Sequence, residues 1–253
     1  MRKILLLTCL SVVSVSAFAQ TTRSYTWDKS QNGINNAAGK FDSINSTFNA
    51  ATNRLTWSST FTGTTVPEGF WLAISGGPNP KGIAGELALF YFDATKSGGP
   101  RLTAYGYNGV NGNNSYFDGN GVASGNQAPD KIISSVTNSS WINSLTYSRA
   151  NGKTTMSFDI NATAINNRTS PYSTNGSWSG AKYGDKIGIW FHTANGLTTD
   201  YGTDGFLKDF SVCTQGWFDG ENFNTQAVPE PASMAALGLG AIAVIRRKRA
   251  AKK

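Results

Sequence analysis

Short runs of β-forming residues, separated by clusters of Gly, Asn and Pro, fill the chain from residue 20 to residue 227. No long stretch in this region repeats apolar side chains at helical spacing, which favours strands over helices. These 208 residues are enough for one substantial core, and all-β domains of this size usually form a single unit. The pattern predicts an all-β domain in which two antiparallel sheets pack face to face as a sandwich.

Two patterns distinguish the predicted strands. Residues 55–61 alternate between two faces, which is typical of a strand with one buried side. Residues 69–74 and 86–92 are continuously apolar, as in strands that are covered on both faces. Asn151 and Gly152 give the strongest hairpin signal in the chain. Further strands are predicted at residues 44–48, 102–107, 145–149, 153–160, 186–192 and 205–213. This pattern of strands loosely resembles a lectin-like or concanavalin-like jelly roll.

Three aromatic side chains are candidates for ligand binding. Residues 108–126 are rich in Asn and Gly, which predicts a flexible surface loop. The functional interpretation is a binding loop in which Tyr116 or Phe117 stacks on a sugar ring. Trp178 lies among Gly and Ser, and we expect it to be a lid over the sandwich edge rather than a sugar-stacking platform.

The last 26 residues combine three features in order. The first is the polar stretch Val228, Pro229, Glu230 and Pro231, which stays extended because both prolines fix φ and lack an N–H. The apolar run 232–245 would span about 21 Å as a helix, against about 30 Å of bilayer hydrocarbon. The basic residues that follow, which should stay in the cytoplasm, begin with Arg246, Arg247, Lys248 and Arg249. We predict a short apolar transmembrane helix; the alternative is an amphipathic or core helix with a basic end.

This order of features resembles the PEP-CTERM sorting signal of Gram-negative bacteria. The resemblance covers residues 228–253, about a tenth of the chain. It implies recognition by an exosortase in the inner membrane, cleavage near the Pro-Glu-Pro stretch, and release or attachment at the cell surface. Proteins with this signal often accompany exopolysaccharide production, so an extracellular polysaccharide is an expected partner. The resemblance implies nothing about the chemistry of residues 20–227.

Residues 1–19 have the organisation of a secretory signal peptide. Arg2 and Lys3 form the positive start, residues 4–15 are apolar, and residues 17–19 are a small-x-small cleavage site. The protein should therefore be exported through the inner membrane. Since Cys9 leaves with this segment, Cys213 has no intrachain partner, and we expect a buried thiol in a strand at 210–213.

The formal net charge of +7 belongs to the two ends of the chain. Of the 22 Lys and Arg, two lie in residues 1–19 and six in residues 228–253, which leaves 14. All 15 Asp and Glu lie between residue 20 and Pro231, so the net charge there is −1, or zero without Glu230. Nucleic-acid binding needs clustered cations on the folded part, and we expect none.

Catalysis has little support in the sequence. Glycoside hydrolysis needs two carboxylates about 5–10 Å apart, yet Glu68, Glu86 and Glu221 are far apart in the chain. His192 is the only histidine, and no Gly-x-Ser-x-Gly motif accompanies it. We expect no enzymatic activity. The alternative is a carbohydrate-active enzyme, a glycoside hydrolase or lyase, with unrecognised catalytic residues.

Calcium is the one metal with candidate ligands. Asp118 with Asn120, and Asp200 with Asp204, offer hard oxygen atoms in Gly-rich segments that we predict to be loops. Ordinary turn chemistry also explains both segments. No other cofactor is expected, because one His and one Cys are too few for zinc.

These features together predict an exported, surface-sorted, non-catalytic protein of the envelope or the extracellular polysaccharide matrix. Its role would be structural or glycan-interacting. Besides the enzyme, the open alternatives are a protein-binding adhesin that uses an exposed sheet edge, and a coat protein that assembles without a ligand.

Overall fold

The computed structural model describes residues 22–30, 34–76, 80, 87–106, 130–168, 178 and 180–223. All of them belong to one compact unit, Thr21–Gln226. The predicted signal peptide and the predicted C-terminal helix lie outside the described residues. Within the described ranges, no helix is long and apolar enough to cross a membrane.

The described elements are nearly all strands. In chain order they are β1 (Thr22–Asp28), β2 (Ile34–Asn35), β3 (Lys40–Asn49), β4 (Arg54–Thr62), β5 (Gly69–Ser75), β6 (Ala88–Asp93), β7 (Arg101–Gly106), β8 (Asp130–Ser134), β9 (Ile142–Ala150), β10 (Lys153–Asn161), α1 (Thr163–Asn166), β11 (Lys186–Asn195), β12 (Thr198–Tyr201), β13 (Leu207–Ser211) and β14 (Thr214–Phe223). The prediction of an all-β fold is confirmed.

Two antiparallel sheets form the sandwich. The first has the strand order β1-β3-β4-β10-β9, and the second has the order β2-β14-β11-β5-β6-β7-β8. Every neighbouring pair of named strands in them is antiparallel. This confirms the predicted two-sheet sandwich, while the resemblance to a lectin-like jelly roll is supported only loosely.

Aromatic side chains fill the space between the two sheets. The alternation in β4 points Leu55, Trp57 and Phe61 inward, and all three are buried. The Trp57 ring lies 5.4 Å from that of Phe191 on the opposite sheet, between ring centroids. A buried aromatic side chain of this kind contributes about 3–5 kcal/mol to stability, judged by its truncation to Ala.

The tight turn between β9 and β10 forms where it was predicted. Asn151 and Gly152 both have positive φ, at 53° and 72°, as a type I′ hairpin turn requires. The turn fixes the pairing of β9 with β10. Lys153 lies opposite Ala150, and the pairing continues regularly up to a β-bulge between Asp159 and Ile160. The carboxylate of Asp159 on β10 accepts hydrogen bonds from Arg54 on β4, which stabilises the pairing of these two strands.

A third layer covers part of the outer face of the seven-stranded sheet. β12 and β13 form a two-stranded hairpin whose side chains Leu207 and Phe210, with Phe206 before them, join a second apolar cluster on β5, β6 and β7. Because both faces are covered, every residue of β5 and β6 is buried. The continuously apolar sequences of β5 and β6 predicted that both faces of these strands would be buried.

Two local predictions are wrong. Asp200 lies in β12 and not in a loop, because Thr198–Tyr201 pairs with β13. Cys213 is exposed and lies beyond the end of β13 at Ser211, not buried in a strand. Its backbone N–H donates to the carbonyl oxygen of Asn195 at 3.0 Å, so the chain is already turning towards β14.

Candidate functional site

Several of the predicted site residues lie outside the part of the chain that the structure describes. These are Tyr116, Phe117, Asp118, Asn120, the sorting residues Val228, Pro229, Glu230 and Pro231, and the basic residues Arg246, Arg247, Lys248 and Arg249. The structure therefore does not test the roles predicted for these residues. The described candidates are Trp178, Asp200 and Asp204.

Trp178 is half-buried beside α1. Its ring packs against the main core, and its indole N–H donates to the carbonyl oxygen of Ile165 at 2.6 Å. The guanidinium of Arg168 lies 5.4 Å from the ring centroid. Both interpretations of Trp178, a lid over the sandwich edge and a sugar-stacking platform, stay predictions.

Asp200 and Asp204 each contact a different lysine. The Asp200 carboxylate lies 3.4 Å from the ammonium of Lys208. Asp204 lies 2.7 Å from Lys131, whose hydrogen bond lowers the pKa of the Asp204 carboxyl, and it also accepts the Phe206 N–H at 3.1 Å. No group of three or more His, Cys, Asp or Glu that could hold a metal occurs within the described ranges. Calcium binding stays a hypothesis from the sequence.

A buried carboxylate anchors the β12–β13 hairpin. Asp93, at the end of β6, is 2% exposed. One carboxylate oxygen accepts the hydroxyls of Thr199 and Tyr201 on β12 at 2.6 and 3.0 Å, and the other accepts the N–H and hydroxyl of Thr95. Burial raises the pKa of Tyr201, and the neighbouring carboxylate raises it further. The arrangement is fully hydrogen-bonded and holds the hairpin in place, so we assign it a structural role.

Aromatic rings form a row across the outer face of the seven-stranded sheet. This outer aromatic row consists of Tyr91 on β6, Trp71 on β5, His192 on β11 and Trp217 on β14, which are in register on neighbouring strands. Successive ring centroids lie 6.2, 5.3 and 6.5 Å apart. Trp190 on β11 contacts the ring of His192 edge-on, with centroids 4.9 Å apart.

The hairpin covers one end of the row and leaves the other end open. The ring of Phe210 on β13 contacts Trp71 and Tyr91, which are 3% and 6% exposed. Trp217 is 42% exposed, and Trp190 is half-buried. A large indole at the surface of a sheet, flanked on the same face by the tilted ring of His192, offers an apolar platform.

Polar side chains lie on both sides of the exposed indole. Phe218 on β14 packs in the main core, so Trp217 and Asp219 point to the outer face. By the same alternation Gln215 and Glu221 belong to that face, and the Glu221 carboxylate forms an ion pair with Lys186 of β11. An apolar ring bordered by amide and carboxylate groups combines the stacking surface and the hydrogen-bonding groups that ligand sites use.

Sequence reasoning missed this platform. It singled out Trp178, whereas Trp217 is the large apolar side chain that is 42% exposed; Trp27, Trp57, Trp71 and Trp141 are buried. The signal was present as the alternation of Gln215, Trp217 and Asp219 with a buried Phe218. Gly216 and Gly220 obscured it, because glycine is a poor strand former.

Two of the three glutamates weighed for catalysis have local partners, and the third, Glu86, lies outside the described residues. Glu68 accepts the backbone N–H of Leu197 at 3.0 Å, and Glu221 pairs with Lys186. His192 is buried between aromatic rings of the outer row. The expectation of no enzymatic activity stays a prediction.

Comparison with known proteins identifies the end of the chain and not the sandwich. The family model of the PEP-CTERM protein-sorting motif matches residues 227–249, which include all eight predicted sorting and basic residues. No curated protein matches the chain. A solved structure from work on the pH-induced modulation of Streptococcus parasanguinis adhesion by Fap1 fimbriae shares 14% identity, over 85% of this chain and 96% of that chain, with a TM-score of 0.21.

The sorting motif carries information about destination. It indicates an exported protein that is sorted to the cell envelope or surface of a Gram-negative bacterium and that is processed by an exosortase, a membrane enzyme. Residues 227–249 of this chain are a PEP-CTERM protein-sorting motif.

Proposed function

We propose that this protein acts without catalysis in the envelope or the extracellular polysaccharide matrix, where its β-sandwich binds glycans. The sorting motif supports the location. The observation that carries the binding role is Trp217, an indole that is 42% exposed at the open end of the outer aromatic row. Sugar rings present C–H groups on one face, and an exposed indole bordered by polar side chains complements such a face.

The fold itself does not decide between a binding module and an enzyme, since sandwiches host both. What supports a binding module is the local pairing of Glu68 and Glu221, which gives neither carboxylate an evident reacting partner. A glycosidase needs two carboxylates that flank one bond. The runner-up function is therefore a carbohydrate-active enzyme that uses other residues.

One experiment separates the two functions. The protein purified from the exported fraction is incubated with dextran, galactomannan, xylan, alginate and hyaluronate, and both retention by each polysaccharide and new reducing ends are measured. We expect retention by at least one polysaccharide without new reducing ends or unsaturated products. Chain cleavage would favour the enzyme. Failure to bind any polysaccharide, with assembly or protein capture instead, would favour a coat protein or an adhesin.

The location has its own test. Intact mass should show a mature protein that starts at Gln20 and lacks the basic residues after the Pro-Glu-Pro stretch. Deletion of residues 228–253 should stop surface sorting. A mature protein that retains Arg246 to Lys253 would contradict the proposed processing.

A further inference from the structure

The exposed indole belongs to a longer strip of side chains along β14. Gln215, Trp217, Asp219 and Glu221 are every second residue of this strand, so they share the outer face. Two residues of a strand advance about 6.8 Å, and the strip from Gln215 to Glu221 is therefore about 20 Å long. That length accommodates several consecutive sugar rings rather than one.

The neighbouring strand β11 borders this strip. Trp190 is in register with Asp219, and His192 is in register with Trp217. The ion pair between Lys186 and Glu221 lies at the end of the strip. The strip thus has an apolar centre, Trp217 with Trp190, and polar side chains on both sides along the direction of β14.

The charge of the strip selects the class of ligand. Asp219 and Glu221 are acidic and Lys186 is basic, so these residues carry a formal net charge of −1. Polyanion recognition uses clustered Arg and Lys, whereas the cation named here already pairs with Glu221. An acidic polysaccharide would be repelled by Asp219, while the hydroxyls of an uncharged one can donate to it.

From this geometry we infer that the ligand is a linear, uncharged polysaccharide bound along β14, with one sugar ring stacked on Trp217 and with neighbouring sugar hydroxyls hydrogen-bonded to Gln215 and Asp219. This inference rests on the proposed glycan binding and specifies its site and its ligand class.

The test compares variants and ligands on the purified exported protein. Binding of dextran, galactomannan, xylan, alginate and hyaluronate is measured by affinity electrophoresis for the wild type, Trp217→Ala, Asp219→Asn and Val136→Ala. Val136 is the matched control, because it is an apolar side chain that is 43% exposed on a different part of the surface. Thermal melting shows that each variant is folded.

We expect the wild type to bind one of the three uncharged polysaccharides. Trp217→Ala and Asp219→Asn should each weaken this binding about 10-fold, the effect of losing one ring contact or one charge-assisted hydrogen bond. Trp217→Phe should retain part of the affinity, and Val136→Ala all of it. Oligosaccharides of the bound polymer should gain affinity from the monomer to the tetramer.

The outcomes that overturn the inference differ from those that overturn the proposed function. If the wild type binds and Trp217→Ala binds equally well, the site is wrong while glycan binding stands. If only alginate or hyaluronate binds, or if the monomer binds as tightly as the tetramer, the ligand class is wrong. If no polysaccharide binds, the proposed function fails and this inference fails with it.

Discussion

Removal of the Asp93 carboxylate should detach the β12–β13 hairpin from the sandwich. This side chain is 2% exposed and accepts four hydrogen bonds, two of them from Thr199 and Tyr201 on the hairpin. In Asp93→Ala both hairpin hydroxyls remain in an apolar surrounding without their acceptor. Each such group costs about 1–3 kcal/mol, so we expect the free energy of unfolding to fall by about 2–6 kcal/mol.

Asp93→Asn tests the origin of this loss. The amide keeps the size of the side chain and one acceptor oxygen, so part of the network survives and we expect a loss of about 1–2 kcal/mol. The hairpin also depends on the Leu207 N–H, which donates to the Tyr105 hydroxyl oxygen at 3.0 Å. That contact is unchanged in both variants.

Urea unfolding followed by tryptophan fluorescence measures these effects, since Trp71 lies beneath the hairpin. Asp28→Ala is the matched control, because Asp28 makes the same local contacts to Ser30 that Asp93 makes to Thr95 but lies on the surface. Its unfolding midpoint should stay unchanged. An equal effect of Asp93→Ala and Asp28→Ala would show that the carboxylate does not hold the hairpin.

Three further predictions concern turns, close packing and alkaline pH. Gly152→Ala should cost about 1 kcal/mol in urea unfolding, because φ is +72° there, whereas Gly98→Ala should cost little at a position without positive φ or near neighbours. Gly220→Ala should cost about 1–3 kcal/mol, since its Cβ would lie 2.8 Å from the Phe218 ring; a cost below that of Gly98→Ala would contradict the close packing. Burial raises the pKa of Tyr25 to about 12 and also raises those of Tyr105, Tyr183 and Tyr201. These tyrosines ionise first in the unfolded chain, so the free energy of unfolding should be steady below pH 10 and fall above it, by about 1.4 kcal/mol per pH unit for each of the latter three. Midpoints that do not change between pH 9 and pH 11 would refute this.

The predictable part of the fold was the part with local signals. The Asn151-Gly152 turn forms where the sequence indicates it, because both residues tolerate the positive φ that the turn needs. The alternating sequence of β4 indicates a strand with one buried face. The continuously apolar sequences of β5 and β6 indicate strands that are buried on both faces. Each of these inferences needs only the residues of one strand or one hairpin.

Strands that depend on distant partners were missed. β14 contains Gly216 and Gly220, and its sequence has little β propensity, yet all ten residues pair with β11. In β12 the Thr and Tyr residues favour a strand while Asp200 does not, and the pairing with β13 and the contacts to Asp93 decide its conformation. Long-range pairing of this kind overrides local preference, so the alternation within β14 is too weak a signal to identify the strand by itself.

The same limit applies to the binding platform. Trp71 and Trp217 are in the same row and have the same side chain, yet one is 3% exposed and the other 42%. The difference comes from the hairpin, which covers the sheet over β5 and β6 and leaves β14 open. The sequence alone does not distinguish a buried tryptophan from an exposed one in this row. How far the β12–β13 hairpin extends over the sheet decides which of them is buried. The hairpin therefore does two things at once, since it completes the second apolar cluster and it sets the boundary at which the aromatic row becomes accessible to a ligand.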